Sequence, residues 1–388
     1  MESTTERRII ADIRQLIEGR TTAMADEVRR QPTSVYVDPE RHVAERQVLF
    51  RRYPSAVALT AQVANPNDFV TTTVAGIPVI VVRGDDGVVR CLVNICRHRA
   101  NRVCDEKSGN RRMFACQFHA WTYTTKGHCR SFVDREGFAD IGREDFGLRE
   151  LPCEERHGLV WCLPDADVPL DMAGYLGPVL DAELSDYDVG SQTLYASTRL
   201  EKPFNWKLGV DTFHEVFHLA FLHKKTVGPL FLGNLAAYEK IGLHHRFVPV
   251  RSTFPDVLAR PEAEQELLPH AGVVYYVFPA TFINWQMDHM EIWTVAPDAR
   301  RDDACVITAS MLVADPPSTE RETRHWDRNW TMLRDSVMTE DFDTMEIIQS
   351  NIESGAVDEL AFGRNEIGLQ NFHRDLEAEL ARHAAGQS

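Results

Sequence analysis

Four residues in two short segments constrain this chain more than anything else in it: Cys96 and His98 in one, Cys116 and His119 in the other. Each segment offers one thiolate and one imidazole. The common zinc finger offers a cysteine pair and then a histidine pair; here the order is Cys, His, Cys, His, so a metal centre would be gripped from both sides. Such a set fits a [2Fe–2S] cluster in which one iron takes both thiolates and the other both imidazoles. The chain must then fold so that two separate loops meet at the tip of one domain. A structural zinc site, and two unconnected Cys/His pairs in a core, are the alternatives.

A domain that only relays electrons is small, whereas 388 residues predict about two or three domains. A second functional domain is therefore expected. With 44% hydrophobic and 26% charged residues and no apolar run of spanning length, the chain reads as soluble and able to bury a sizeable core. Met1 to Arg20 lacks the apolar centre of a secretory signal, so a cytoplasmic location is expected. Eight cysteines are too few for a disulfide scaffold at this length. A net charge of −16 argues against nucleic acid and against an acidic membrane surface.

The pattern divides into three stretches. Residues 1–35 form an N-terminal helical segment, with Ile9, Ile10, Ile13, Leu16 and Ile17 at helical spacing from about Thr5 to Arg30. Residues 36–165 carry short β-rich runs such as Val79 to Val82 and Val88 to Val93, divided by turn signals at Gly84-Asp85-Asp86-Gly87 and Lys126-Gly127. That is a small all-β domain with the cluster loops at its tip. Residues 166–388 place a helical segment, Asn205 to His223, before strand-like runs at Val273 to Phe278, Phe282 to Met287, Ile292 to Ala296 and Ala304 to Val313. A long helical segment closes the chain. Strands gathered between helices predict an α+β domain with an antiparallel sheet.

A second ligand constellation lies in that domain. Glu215 and His218 share a helical face, but His218 and His223 are five residues apart and diverge on a regular helix. Either the helix ends near Leu219 to Leu222 or it carries a π-bulge. Between Glu320 and Ser350 the apolar residues Trp326, Trp330, Leu333, Val337, Met345 and Ile348 make one stripe. Asp341 is the polar residue nearest its centre; Glu340 lies at the edge, and Asp343 and Glu346 point away. A carboxylate facing a core needs a partner. With His218 and His223 it completes the two-histidine, one-carboxylate triad of non-haem Fe(II) oxygenases, which leaves positions open for dioxygen. A buried arginine partner for Asp341, or a helix break that it caps, is the alternative.

Taken together, Asn94, Arg97, Arg99, the run Phe118 to Trp121, Tyr123, Gly127, Asn205-Trp206-Lys207-Leu208, Asp211, Glu215, His218, His223, Asp341 and Gln349 resemble the Rieske non-haem iron oxygenase α subunits, the ring-hydroxylating family. Ala100, Gln117 and Ala120 depart from it, standing where that family usually has Gly, Pro and Gly. The resemblance implies an all-β Rieske domain and a helix-grip catalytic domain. It also implies a homotrimer in which one subunit's cluster serves its neighbour's iron. It gives Cys96, His98, Cys116 and His119 to the cluster, and His218, His223 and Asp341 to a mononuclear Fe(2+). Catalytic roles fall to Asp211 and to Glu215, the bridge between the metals. Respiratory Rieske proteins brace the cluster with a disulfide; Asn101 and Phe118 stand at those positions, so a low-potential cluster without that brace is expected.

No nucleotide-binding glycine motif is evident. NAD(P)H must then be oxidised on a separate reductase, with or without a ferredoxin between. The basic residues Arg97, Arg99, Arg102, Lys107, Arg111, Arg112, Lys126 and Arg130 face only Asp105 and Glu106 within the same stretch, which suggests a docking face for an acidic donor. Arginines bracing the cluster are the alternative. Phe213, Leu219, Phe231, Phe282 and Trp293 are candidates for an apolar pocket, with Asn284 to orient a substrate. The expected reaction joins dioxygen to a small, mostly apolar, aromatic or cyclic compound, as in aromatic hydrocarbon catabolism. Monooxygenation by hydroxylation or oxidative demethylation comes first and arene cis-dihydroxylation second. An electron carrier and a zinc-stapled binding module are the readings from other classes.

Overall fold

The structure, a computed structural model, describes residues 3–133, 135–165 and 169–386. The expected boundary at 165/166 falls beside residues outside that set. Internal contacts divide the chain into two compact units, one of residues 1–49, 176–187 and 192–388, the other of 50–175 and 188–191.

Among its described residues the smaller unit is built of strands, with short 3-10 turns and the ends of the helices Pro39–Arg52 and Met172–Ser185. Its five-stranded antiparallel sheet runs Glu150–Leu151, Val89–Val93, Ile77–Arg83, Asp68–Val74, Ser108–Asn110, and two three-stranded sheets complete it. Strand alternation explains the uninterrupted Val79-Ile80-Val81-Val82 run. Ile80 and Val82 point into one core with Phe69, Leu92, Phe114 and Trp121, while Val79 and Val81 point into another with Val70, Val74 and Val160. Successive side chains on a strand face opposite ways, so a strand buried on both faces needs this sequence. The first core also holds Cys96 and Cys116.

The larger unit is built on a seven-stranded antiparallel sheet in the order Thr193–Lys202, Cys305–Val313, His289–Pro297, Thr281–Trp285, Val273–Val277, His244–Arg251, Phe231–Ile241. The C-terminal helix Ile367–Ala384 grips its far edge: Asn371 donates to the Tyr238 hydroxyl (2.8 Å), and a Cβ on Gly368 would meet the Phe247 ring at 1.9 Å. Only glycine allows that approach. The Asn205-Trp206-Lys207 motif is held by buried polar bonds. Glu45 takes Lys207 Nζ at 2.6 Å and Trp206 Nε1 at 2.9 Å, and Asn205 caps the following helix through Lys207 N.

Three helical expectations are corrected. The N-terminal helix spans Ser3–Glu18 and stops at Gly19 and a left-handed Arg20; Arg29 and Arg30 instead pair in a strand with Glu359–Phe362. Pro39–Arg52, inside the stretch read as β-rich, is a helix. The Asn205 to His223 segment is regular only over Trp206–Asp211, followed by a 3-10 turn at Phe217–Ala220. The Glu215 carboxylate accepts from the N–H groups of Phe217 and His218, displacing the carbonyls a continuing helix would use. The π-helix occurs elsewhere, at Arg334–Asp341, between the α-helices Glu320–Leu333 and Phe342–Glu353.

Candidate metal centres

The two loops of the smaller unit share one backbone plan. Cys96 N–H donates to Asn101 O and Cys116 N–H to Trp121 O, while Ala100 and Ala120 N–H return to Cys96 O and Cys116 O. Each loop turns through its alanine, with φ of 57° at Ala100 and 55° at Ala120. The departures from glycine therefore keep the left-handed turn, at about 1 kcal/mol each. Cys96 and Cys116 are buried, the His98 and His119 ring centroids are 4.6 Å apart, and Trp121 stacks on His98 at 5.0 Å. His98 Nδ1 is buried without a hydrogen-bond partner. A buried, unbonded imidazole nitrogen beside two thiols suits a metal ligand, so these residues fit a cluster. All eight cysteines are free, including these two.

Hydrogen bonds reach both sulfurs. Tyr123 Oη accepts from Arg97 N (3.0 Å) and lies 3.3 Å from Cys96 Sγ; Asn101 Nδ2 approaches Cys116 Sγ at 3.6 Å. Burial pushes the Cys96 thiol up. Burial acts likewise on Cys116, but the N–H groups of Phe118 and His119 and the Asn101 amide outweigh it and hold that thiol below its ordinary value. A donor to sulfur favours the more negative, reduced cluster. Tyr123→Phe is accordingly expected to lower the cluster potential by about 40 mV, one net hydrogen bond expressed for one electron. A redox titration followed by visible circular dichroism measures it, and an unchanged midpoint would show that the hydroxyl does not serve the sulfur.

In the larger unit the structure brings His218, His223 and Asp341 together, with one ligand atom of each within 4.8 Å of the others. His223 Nε2 is 3.1 Å and His218 Nε2 3.6 Å from Asp341 Oδ1. That oxygen is buried and still makes no aligned hydrogen bond. Polar atoms this close yet unbonded are what groups aimed at a common third point look like. The Nδ1 atoms face away, to carboxylates: His218 to Glu215 and His223 to Glu340 Oε2 at 2.6 Å. Burial alone would lower both imidazoles; Glu215 behind His218, and Asp341 and Glu340 around His223, raise them instead. Backing of this kind fixes the tautomer and makes the inward nitrogen a better ligand.

The sequence singled out Glu215, as a bridge between the metals, and missed Glu340, which also takes the Thr226 hydroxyl at 2.7 Å. On a regular wheel Glu340 sits at the edge of the stripe; the π-helix, ending at Asp341, turns less per residue and brings both acids inward. Asp343 and Glu346 lie outside, paired with Lys202. Asp211 is spoken for elsewhere, by the Tyr36 hydroxyl at 2.6 Å and His373 Nε2 at 2.9 Å. Gln349 accepts from Asn205 N.

Three pocket candidates meet: Phe213 lies 4.7 Å from Phe282 and 5.2 Å from Trp293, ring to ring. Trp293 also packs at 6.3 Å on Phe342, the neighbour of Asp341. Asn284 is buried with its Oδ1 unpartnered, and directly opposite on the next strand is Glu291, which accepts from Trp293 Nε1 at 3.2 Å. Leu219 sits on the turn between the two histidines. Phe231, by contrast, lies under the Arg251 guanidinium.

The basic stretch is less basic in space than in sequence. Lys126 pairs with Asp85 and Asp86 from an adjacent turn, Arg111 with Glu106, and Arg102 with Asp105. Arg97 donates to Gly147 O and Arg99 lies over Phe118, which favours the bracing role for those two. Among the described residues no helix is long and apolar enough to cross a membrane.

Comparison with known proteins finds both kinds of domain. Residues 54–140 match the profile of the Rieske [2Fe-2S] domain and residues 191–381 that of the ring hydroxylating alpha subunit catalytic domain. The chain is 30% identical over 213 residues to the biphenyl 2,3-dioxygenase alpha subunit of Rhodococcus jostii, covering 54% of this chain and 45% of that one. It is 27% identical over 257 residues to the glycine betaine monooxygenase oxygenase subunit of Chromohalobacter salexigens, covering 64% and 55%. The chain spans about half the length of these curated relatives. In fold it is similar to a quaternary ammonium Rieske monooxygenase, CntA (TM-score 0.79, 19% identity, 91% of this chain and 96% of that one). Naphthalene 1,2-dioxygenase from a Rhodococcus species is also similar (TM-score 0.75, 18% identity, 97% and 98%). Both domains of that architecture are present in order, and the chain belongs to the Rieske non-haem iron oxygenase α subunits, the ring-hydroxylating family.

Proposed function

We propose that this chain is the terminal component of an oxygenase in which Cys96, His98, Cys116 and His119 hold the Rieske cluster and His218, His223 and Asp341 hold a mononuclear Fe(2+). The observation that carries the second site is the convergence of three ligand atoms within 4.8 Å, each imidazole backed by its own carboxylate. The cluster supplies electrons singly and the iron, with open positions, supplies dioxygen activation. Everything else is done by side chains. Glu215 and Glu340 hold the Nδ1 protons so that the Nε2 lone pairs face inward, and Tyr123 and Asn101 serve the sulfurs. Phe213, Phe282 and Trp293 form an apolar, water-excluding wall, with Asn284 and Glu291 as its polar end.

The substrate in this reading is a small, mostly apolar, aromatic or cyclic compound, and the reaction is monooxygenation by hydroxylation or oxidative demethylation. Arene cis-dihydroxylation is the second reading, supported by the dioxygenase names among the relatives. Electrons come from NAD(P)H through a separate reductase, with or without a ferredoxin. The chain acts as a homotrimer in the cytoplasm, a compartment that suits six free thiols beside the two cluster cysteines. The functional division follows 1–35 as a packing segment, 36–165 as the cluster domain and 166–388 as the catalytic domain. Anaerobically purified protein is expected to contain about three irons and two acid-labile sulfides per chain. One zinc and no sulfide would overturn the oxygenase reading.

A further inference from the structure

Three of the remaining cysteines gather on the face of the five-stranded sheet that looks away from the cluster ligands. Cys91 and Cys162 are buried in the core with Val79 and Val81, and partly exposed Cys153 packs against it. The register explains the meeting. Cys153 and Cys162 are directly opposite on antiparallel strands. The adjacent pair is joined by Leu163 N–H to Pro152 O (2.9 Å), so the cysteines occupy the close, non-hydrogen-bonded kind of site. Cys91 comes from the neighbouring sheet, where it pairs with Leu151, two residues before Cys153, and its thiol interacts with those of both Cys153 and Cys162. Neither the cluster nor the mononuclear site uses any of the three.

We propose that this cluster is a hydroperoxide-reactive modification site, with Cys153 as the attacking thiol and Cys91 as the thiol that resolves it. Cys153 is the member with solvent access. The Cys91 thiol, donating to it, outweighs burial and holds Cys153 below the ordinary thiol range, and it is the thiolate that attacks. In the first step the Cys153 thiolate attacks one oxygen of the peroxide: an S–O bond forms, the O–O bond breaks, and the leaving oxygen departs as water or alcohol with a proton from solvent. Cys153 is then a sulfenic acid. In the second step the Cys91 sulfur attacks the Cys153 sulfur, the S–S bond forms, and the S–O bond breaks. The hydroxide leaves as water with the Cys91 proton. Two thiols lose two electrons and the peroxide gains them. Cys305 makes the internal control, since it is fully buried and burial pushes its thiol far up.

The test uses the intact holoprotein titrated with hydrogen peroxide, with peptide mapping of disulfides, a sulfenate-trapping dione and the cluster's visible spectrum recorded together. A Cys91–Cys153 disulfide is expected to form while the spectrum is still intact and Cys305 is still reduced. Cys91→Ser should lose the disulfide and accumulate trapped sulfenate on Cys153, whereas Cys153→Ser should lose both. Cys91→Ala serves as a second resolving-thiol variant if the serine proves unstable in that core. A disulfide that appears only after the spectrum has collapsed overturns the proposal. So does sulfenate spread evenly over Cys153, Cys104 and Cys305, or a disulfide that joins Cys153 to Cys162.

Discussion

Asp341→Ala is expected to strip the mononuclear iron and abolish oxygenation while leaving the cluster's visible spectrum unchanged, because the two proposed centres share no ligand. Three groups converge in the larger unit, and removing the anionic one leaves two neutral imidazoles, too few to hold a divalent ion against water. Asp343→Ala is the matched control: its side chain is exposed and pairs with Lys202 at 3.6 Å, so iron and turnover should persist. Stability separates this reading from a purely structural one. If Asp341 served a buried ion pair, its loss would cost about 3–5 kcal/mol. If it waits for a metal, the iron-free protein carries a buried oxygen without an aligned partner, and the alanine variant should lose well under that amount relative to iron-free wild type. Iron analysis and thermal denaturation of both forms decide it.

What could be read from the sequence, and what could not, follows from the range of the forces involved. Val79 to Val82 announced a strand buried on both faces because side-chain alternation is local. Cys96, His98, Cys116 and His119 announced a centre because ligand chemistry is stringent. The path from Asp211 to His223 was not legible: a helix was expected, yet it stops at Asp211, and one carboxylate, Glu215, keeps it from resuming by capturing two backbone N–H groups. Glu340 was missed for a related reason, since its inward turn depends on the π-helix ending at Asp341, which no apolar period reports. Glu291 is adjacent to Asn284 only through strand pairing, and Lys126 meets Asp85 and Asp86 only through a turn. Contacts made across strands leave no trace in a local window. Ala100 and Ala120 show the converse. The residues depart from the family's glycines, yet the loop hydrogen bonds still impose the left-handed turn.

Glu215→Gln is expected to keep both centres and a reducible cluster, yet to slow electron delivery to the mononuclear iron by about 10- to 100-fold, the usual scale for losing a carboxylate behind a ligating histidine. One oxygen of Glu215 takes His218 Nδ1 and the other accepts from the N–H groups of Phe217 and His218. Each carboxylate oxygen has two lone pairs; the two backbone N–H groups fill one oxygen, so it is the oxygen facing His218 Nδ1 that can still accept from the imidazole of His119 in a neighbouring copy. In the proposed trimer this one group would then link an imidazole of the cluster to an imidazole of the iron. Glutamine keeps the shape but has a single acceptor oxygen, so either the imidazoles or the two backbone N–H groups that fix the side chain must face an amide N–H and lose their bonds. Glu340→Gln is the informative comparison. It backs His223 in the same way but offers no second imidazole, so it should weaken iron binding without slowing transfer to iron that remains bound. Single-turnover measurement on pre-reduced, iron-replete protein reads the difference. Product formed by Glu215→Gln at the wild-type rate removes the bridge, and equal slowing in both variants reduces Glu215 to a support for His218.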